Sequence, residues 1–64
     1  THPQTRYGDY MIEVGDLVRI KLPIKMKGKL ALVIASDHKG EVHAVRFIDN
    51  DLTVNYHHSR LEKL

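Results

Sequence analysis

Five histidines in 64 residues invite a metal reading first. The candidate donors are His43, His57, His58 and the Asp37-His38 pair. His57 and His58 are adjacent, and adjacent side chains of an extended strand point to opposite faces, so the two cannot readily share one ion. His43 could approach one of them across a sheet, with Asp37-His38 adding ligands. No pair has helical i, i+4 spacing and no metal motif is present, so no metal site is expected. The plain alternative is that His57 and His58 line a turn through backbone hydrogen bonds, or lend the chain pH sensitivity. Ser59 beside them belongs to that turn and not to a catalytic triad. Nothing else pairs a nucleophile with a base, and there is no glycine-rich phosphate loop. Cysteine is absent, which removes thiolate ligands, thiol nucleophiles and disulfides. The expectation is a non-enzyme with no cofactor and no small-molecule substrate.

The second chemical feature is a run of cations. Arg19, Lys21, Lys25, Lys27 and Lys29 lie close together with no acidic residue between Asp16 and Asp37, and Arg46 follows later. Such a lobe can hold the phosphates of a nucleic acid, with Tyr7, Tyr10 or Tyr56 as stacking surfaces. It can equally keep an exposed strand edge and loop soluble, a common use of lysine. Ten Lys plus Arg against eight Asp plus Glu leave a formal net charge of only +2, and the flanking Asp16, Asp37 and Glu41 temper the lobe.

These residues must be positioned by short strands. Gly15-Asp16 makes a turn within the opening segment Val14–Ile20, since glycine tolerates positive φ and aspartate bonds to nearby backbone. Period-2 alternation then places Val18, Ile20 and Leu22 on one face, with Leu17, Arg19 and Lys21 on the other. Pro23 ends regular pairing. In the loop Ile24–Lys27, Ile24 and Met26 alternate with lysines, so the loop is expected to fold over the core. Gly28 opens the second strand, Leu30–Ala35, which is apolar on both faces: Leu30, Leu32 and Ile34 oppose Ala31, Val33 and Ala35. A strand of that kind is covered on both sides, which makes Leu30, Leu32, Val33 and Ile34 candidate interface residues for the arm, the Ile24–Met26 loop or another subunit.

Asp37-His38-Lys39-Gly40 reads as a hairpin connection, with Gly40 left-handed. The third strand is Val42–Ile48, with His43, Val45 and Phe47 on one face and Val42, Ala44, Arg46 and Ile48 on the other. Asp49-Asn50-Asp51 is a turn. Leu52–Tyr56 alternates with Leu52, Val54 and Tyr56 inward. His57–Arg60 reads as a 3₁₀ turn leading to a last strand, Leu61–Leu64; a helix from Ser59 would be too short to nucleate. Five short strands without helical periodicity predict an all-β protein. Its expected core is Val18, Ile20, Leu32, Val45 or Phe47, Val54 and Leu61.

Sixty-four residues allow one domain with a thin core. Residues 14–64 form the barrel. Residues 1–13 form an N-terminal arm with Pro3, Gly8 and no apolar periodicity; Tyr7 and Tyr10 could pack back on the barrel. The first ten are an appended segment, a processed end or a true arm, and Met11 would make a natural start. No apolar run approaches the roughly 20 residues that span a bilayer, and no secretory signal is visible. No membrane partner is expected, and the expected location is cytoplasmic or virion-associated.

The Gly15-Asp16-Leu17-Val18-Arg19-Ile20 opening, the Lys27-Gly28 entry to strand two, the glycine hairpin and the closing His57, Ser59 and Leu61 resemble Src-homology-3-like barrels. The pattern is similar to small single-domain proteins of tailed bacteriophages. More distantly it resembles the C-terminal DNA-binding domain of integrases and the KOW-type barrels of ribosomal and transcription proteins. The resemblance implies a small five-stranded SH3-like barrel over Val14–Leu64. The DNA-binding relatives usually carry an aromatic where Met26 stands, and the KOW glycine of strand two is replaced by Ala31. With no tryptophan, three tyrosines and one phenylalanine, a polyproline groove is not expected. Two functions follow. One is a structural or adaptor module acting through protein–protein contacts or self-association, of the phage accessory or virion type. The alternative is a nucleic-acid-binding barrel using Arg19, Lys21, Lys25, Lys27, Lys29 and Arg46.

Overall fold

The Gly15-Asp16 turn sets the first strand. Gly15 has φ +98°, the Asp16 N–H donates to the Glu13 carbonyl at 3.0 Å, and Asp16 Oδ2 accepts the Glu13 N–H at 2.8 Å. Strand β1, Leu17–Ile20, follows directly. The structure is a computed structural model and describes residues 11–64. Tyr7, Tyr10 and the rest of residues 1–10 lie outside the described residues.

Strands β2 (Leu30–Ser36), β3 (Val42–Phe47), β4 (Thr53–His57) and β5 (Leu61–Lys63) complete one antiparallel sheet of order β4-β3-β2-β1-β5. The 3₁₀ turn His58–Arg60 carries the chain from β4 across to β5, which pairs back on β1. The described residues thus form the five-stranded, all-β, SH3-like barrel expected from the sequence. Its core is Ile12, Val18, Ile20, Ala31, Val33, Val45, Phe47, Tyr56 and Leu61, with Met26 and Val54 packed against it. Phe47 and Tyr56 meet edge to face, ring centroids 6.4 Å apart.

Several expectations need correction. Leu32 is not a core residue; it faces out from β2, while Ala31 and Val33 face in. Val33 is accordingly part of the core and not of an exposed interface. Leu22 and Leu52, expected inward, lie beyond the ends of β1 and β4 and are exposed. The Ile24–Met26 segment is a 3₁₀ turn that turns only Met26 toward the core, leaving Ile24 72% exposed. Ile12, placed in the arm by its sequence position, is buried.

The strict alternation assumed for β2 fails at one point. Val33 pairs with Val45 but Ala35 pairs with Ala44, so Ile34 is an extra residue in the β2 strand, a β-bulge. Beyond it the parity switches: Ala35 joins the outer row beside Ala44, and Ser36 comes opposite His43.

Candidate interaction surface

The outer face of β1, β2 and β3 carries an apolar patch that no single strand reveals. Leu17 stands directly opposite Leu32 across β1 and β2, and Leu32 stands opposite Arg46 across β2 and β3. One row along, Arg19 is opposite Leu30, and the Ile48 N–H donates to the Leu30 carbonyl at 3.1 Å. Leu17, Leu30, Leu32 and Ile48 are 41%, 38%, 39% and 58% exposed, so four large apolar side chains of neighbouring strands meet solvent together. Contiguous exposure of this kind marks contact surfaces in soluble proteins. Of the interface residues read from the sequence, Leu30 and Leu32 belong to this patch, and Ile34 sits half-buried on the bulge.

Charges edge the patch, and most of them are already partnered. Arg19 lies 3.7 Å from Glu62 across β1 and β5, and Lys29 lies 3.1 Å from Asp49. Off the patch, Lys63, opposite the inward-facing Val18, reaches both Asp16 Oδ2 at 3.4 Å and the Met11 carbonyl at 3.3 Å. Exposed pairs of this type contribute about 0–1 kcal/mol each, but they do neutralise the cations they hold. Arg46 is different. It is exposed, flanked by Leu32 and Thr53, and among the described residues no carboxylate lies within ion-pair distance of it.

The remaining sequence-derived cations, Lys21, Lys25 and Lys27, gather elsewhere. Lys21 follows β1 and its N–H donates to the Arg60 carbonyl at 2.8 Å, while Lys25 and Lys27 belong to the Ile24–Met26 turn and its end. The single basic lobe read from sequence is therefore split. Arg19, Lys29 and Arg46 rim the outer face, whereas Lys21, Lys25 and Lys27 sit at the turn-bearing end of the barrel. Arg60 joins Lys21 there, a residue that linear spacing leaves far from the lobe and that only the β1–β5 return brings in. A concavity of about 340 Å³ opens beside them, lined by Lys21, Leu61, Glu62 and Lys63. It brings together no nucleophile and base.

The histidines divide into two settings. His43 is completely buried on the inner face of β3, its Nδ1 2.6 Å from Ser36 Oγ, and its Nε2 meets no hydrogen-bond partner among the described residues. Burial pushes its pKa below the ordinary histidine value; nearby Asp37 opposes this, and His58 and His57 reinforce it. His57 and His58 do not splay to opposite faces as an unbroken strand would require. The 3₁₀ turn starts between them, and their rings lie side by side, tilted by 33° with centroids 4.3 Å apart. His57 Nδ1 accepts the Ser59 N–H at 3.2 Å and lies 2.9 Å from Ser59 Oγ, capping the turn. Among the described residues no three His, Asp or Glu side chains are placed to hold a metal ion.

The sequence does not single out Leu17 and Ile48 as interface residues, although alternation puts Leu17 with Arg19 and Ile48 with Arg46. What was lacking was the register that lays those rows side by side.

No protein-family model and no curated protein matches the sequence. Among solved structures, the chain is similar to a chain in the crystal structure of the MjSpt4:Spt5 complex in conformation B, with a TM-score of 0.73 and 24% sequence identity. The match covers 83% of this chain and 37% of that one, so the barrel spans little more than a third of its structural neighbour. At this identity the likeness is one of fold, and it places the chain among small β-barrels that also occur inside longer proteins.

Proposed function

We propose that this barrel is a non-catalytic module that docks a protein partner on the outer face of β1, β2 and β3. The observation that carries the reading is the exposed cluster of Leu17, Leu30, Leu32 and Ile48. Covering such side chains removes apolar area from water at roughly 25 cal/mol per Å², the main driving force of association. The structural neighbour is, by its name, part of a two-protein complex, which is compatible with the reading. A phage accessory or virion role is one setting that such a module fits; the structural neighbour does not bear on it. The test compares proteins retained by the immobilised chain with those retained by a Leu17→Asp/Leu32→Asp variant of unchanged thermal midpoint. A specific partner should be lost with the variant, and its hydrogen-exchange footprint on the wild type should cover β1 to β3. Retention by both, or a footprint elsewhere, refutes the reading.

A second reading rests on a different observation. Lys21, Lys25, Lys27 and Arg60 gather at one end, and among the described residues none has a carboxylate at ion-pair distance. A nucleic acid would engage that end, not the outer face.

A further inference from the structure

We infer that the segment docked on the outer face is apolar and carries a carboxylate that pairs with Arg46. This rests on the outer-face reading above and adds the chemistry of the partner. Arg46 lies on β3, an interior strand of the sheet, with Leu32 on one side and Thr53 on the other. The other two cations at the patch, Arg19 and Lys29, are held by Glu62 and Asp49, so among the described residues Arg46 is the patch cation with no carboxylate at ion-pair distance.

A partner that covers Leu32 must also strip water from the adjoining guanidinium. Removing a charge from water is costly unless an opposite charge replaces the lost hydration. A carboxylate does so with two parallel N–H···O bonds that match the planar fork of arginine. A wholly apolar segment leaves the charge uncompensated, and a basic one adds repulsion. Arg46 therefore acts as a specificity residue, selecting against both. A phosphate backbone would satisfy Arg46 but gains nothing from four leucine and isoleucine side chains. The carboxylates seen beside the patch, Glu62 and Asp49, are each engaged with their own cation, which makes a second copy packed face to face the poorer match.

The test is a selection of short random peptides against the immobilised chain, the tightest binder then being synthesised and titrated. The expected binder is an apolar run containing Asp or Glu. Arg46→Glu should weaken it by about tenfold or more, the scale of a charge-assisted hydrogen bond. Changing the peptide's acid to lysine should restore binding to Arg46→Glu, and Leu32→Asp should abolish it. Arg46 is exposed, so Arg46→Glu and Arg46→Gln should keep the wild-type thermal midpoint. A binder lost with Leu32→Asp but indifferent to Arg46→Glu overturns the carboxylate inference and leaves the docking surface standing. Binders indifferent to Leu32→Asp, or a selection with no binder, overturn both. Self-association in sedimentation that Leu32→Asp abolishes puts a second copy on the face and overturns the inference.

Discussion

Ser36 Oγ lies 2.6 Å from His43 Nδ1 across the bulged β2–β3 pair, so an exposed hydroxyl at the end of β2 meets the one buried polar side chain among the described residues. The bulge at Ile34 creates this contact. Had the ladder run on from Val33 and Val45 without a bulge, Ala35 would stand opposite His43, and the buried imidazole would have no hydroxyl opposite it.

A pH dependence follows from that burial. The folded state holds His43 below the value of about 6.5 that it has when exposed, because the charged ring cannot be solvated. As pH falls through that unfolded value, the unfolded chain takes up a proton that the folded chain refuses. Stability is therefore complete above it and is lost progressively below it, until the depressed folded value is reached. Thermal midpoints measured from about pH 7.5 down to 5 should fall, and His43→Leu should flatten the slope. A wild-type midpoint that stays level across this window would refute the assignment.

Core truncation should be close to lethal for the fold. Phe47 and Ile20 are fully buried, and a domain of this size has little stability to lose. Phe47→Ala should cost about 3–5 kcal/mol and Ile20→Ala about 2–5 kcal/mol, against a total of about 5–15 kcal/mol for native proteins. Urea titration of both variants checks this. A change under about 1 kcal/mol in either would contradict the packing described.

Legibility in the sequence varied with the range of the information needed. Turns were readable because they are local: Gly15-Asp16, Asp37 to Gly40 and the His57–Arg60 turn each carry their own backbone chemistry. The inner faces of β1 and β3 were readable because their alternation is unbroken. β2 was not, because Leu30–Ala35 is apolar throughout, so pattern alone cannot say whether Leu32 or Val33 faces the core. Pairing decides it. Val33 bonds back to the first turn, its carbonyl accepting the Gly15 N–H at 2.8 Å. The apolar patch and the Lys21–Arg60 neighbourhood were hidden for the same reason: each is assembled from strands distant in sequence.

The Asp37–Gly40 hairpin offers a local test of backbone conformation. Asp37 Oδ1 accepts the Glu41 N–H at 2.9 Å, and that bond holds the carboxyl below its ordinary value. Gly40 has φ +73°, and a Cβ added there would meet nothing within 4 Å. The penalty for a side chain is therefore purely conformational, about 1–2 kcal/mol for alanine and less for asparagine, which tolerates the left-handed region. Gly40→Ala should thus be less stable than Gly40→Asn in chemical denaturation. The reverse order would mean that the loop rearranges around the substitution.

Salt dependence separates the two functional readings. If Lys21, Lys25, Lys27 and Arg60 bind phosphates, log affinity should fall with log salt at a slope of roughly −3 to −4. Lys25→Ala/Lys27→Ala should then reduce that slope by about two without lowering the thermal midpoint, because both side chains are exposed. The protein-docking reading expects weak nucleic-acid binding that disappears at physiological salt, and a partner association that these substitutions leave unchanged. Fluorescence anisotropy with labelled duplex and single-stranded DNA measures the first; titration of the partner into the same variant measures the second. Ion pairing on the outer face favours the docking outcome, since Glu62 and Asp49 already hold two of the six cations first assigned to phosphate. Sub-micromolar DNA binding at physiological salt, lost in the lysine variant, would reverse that preference.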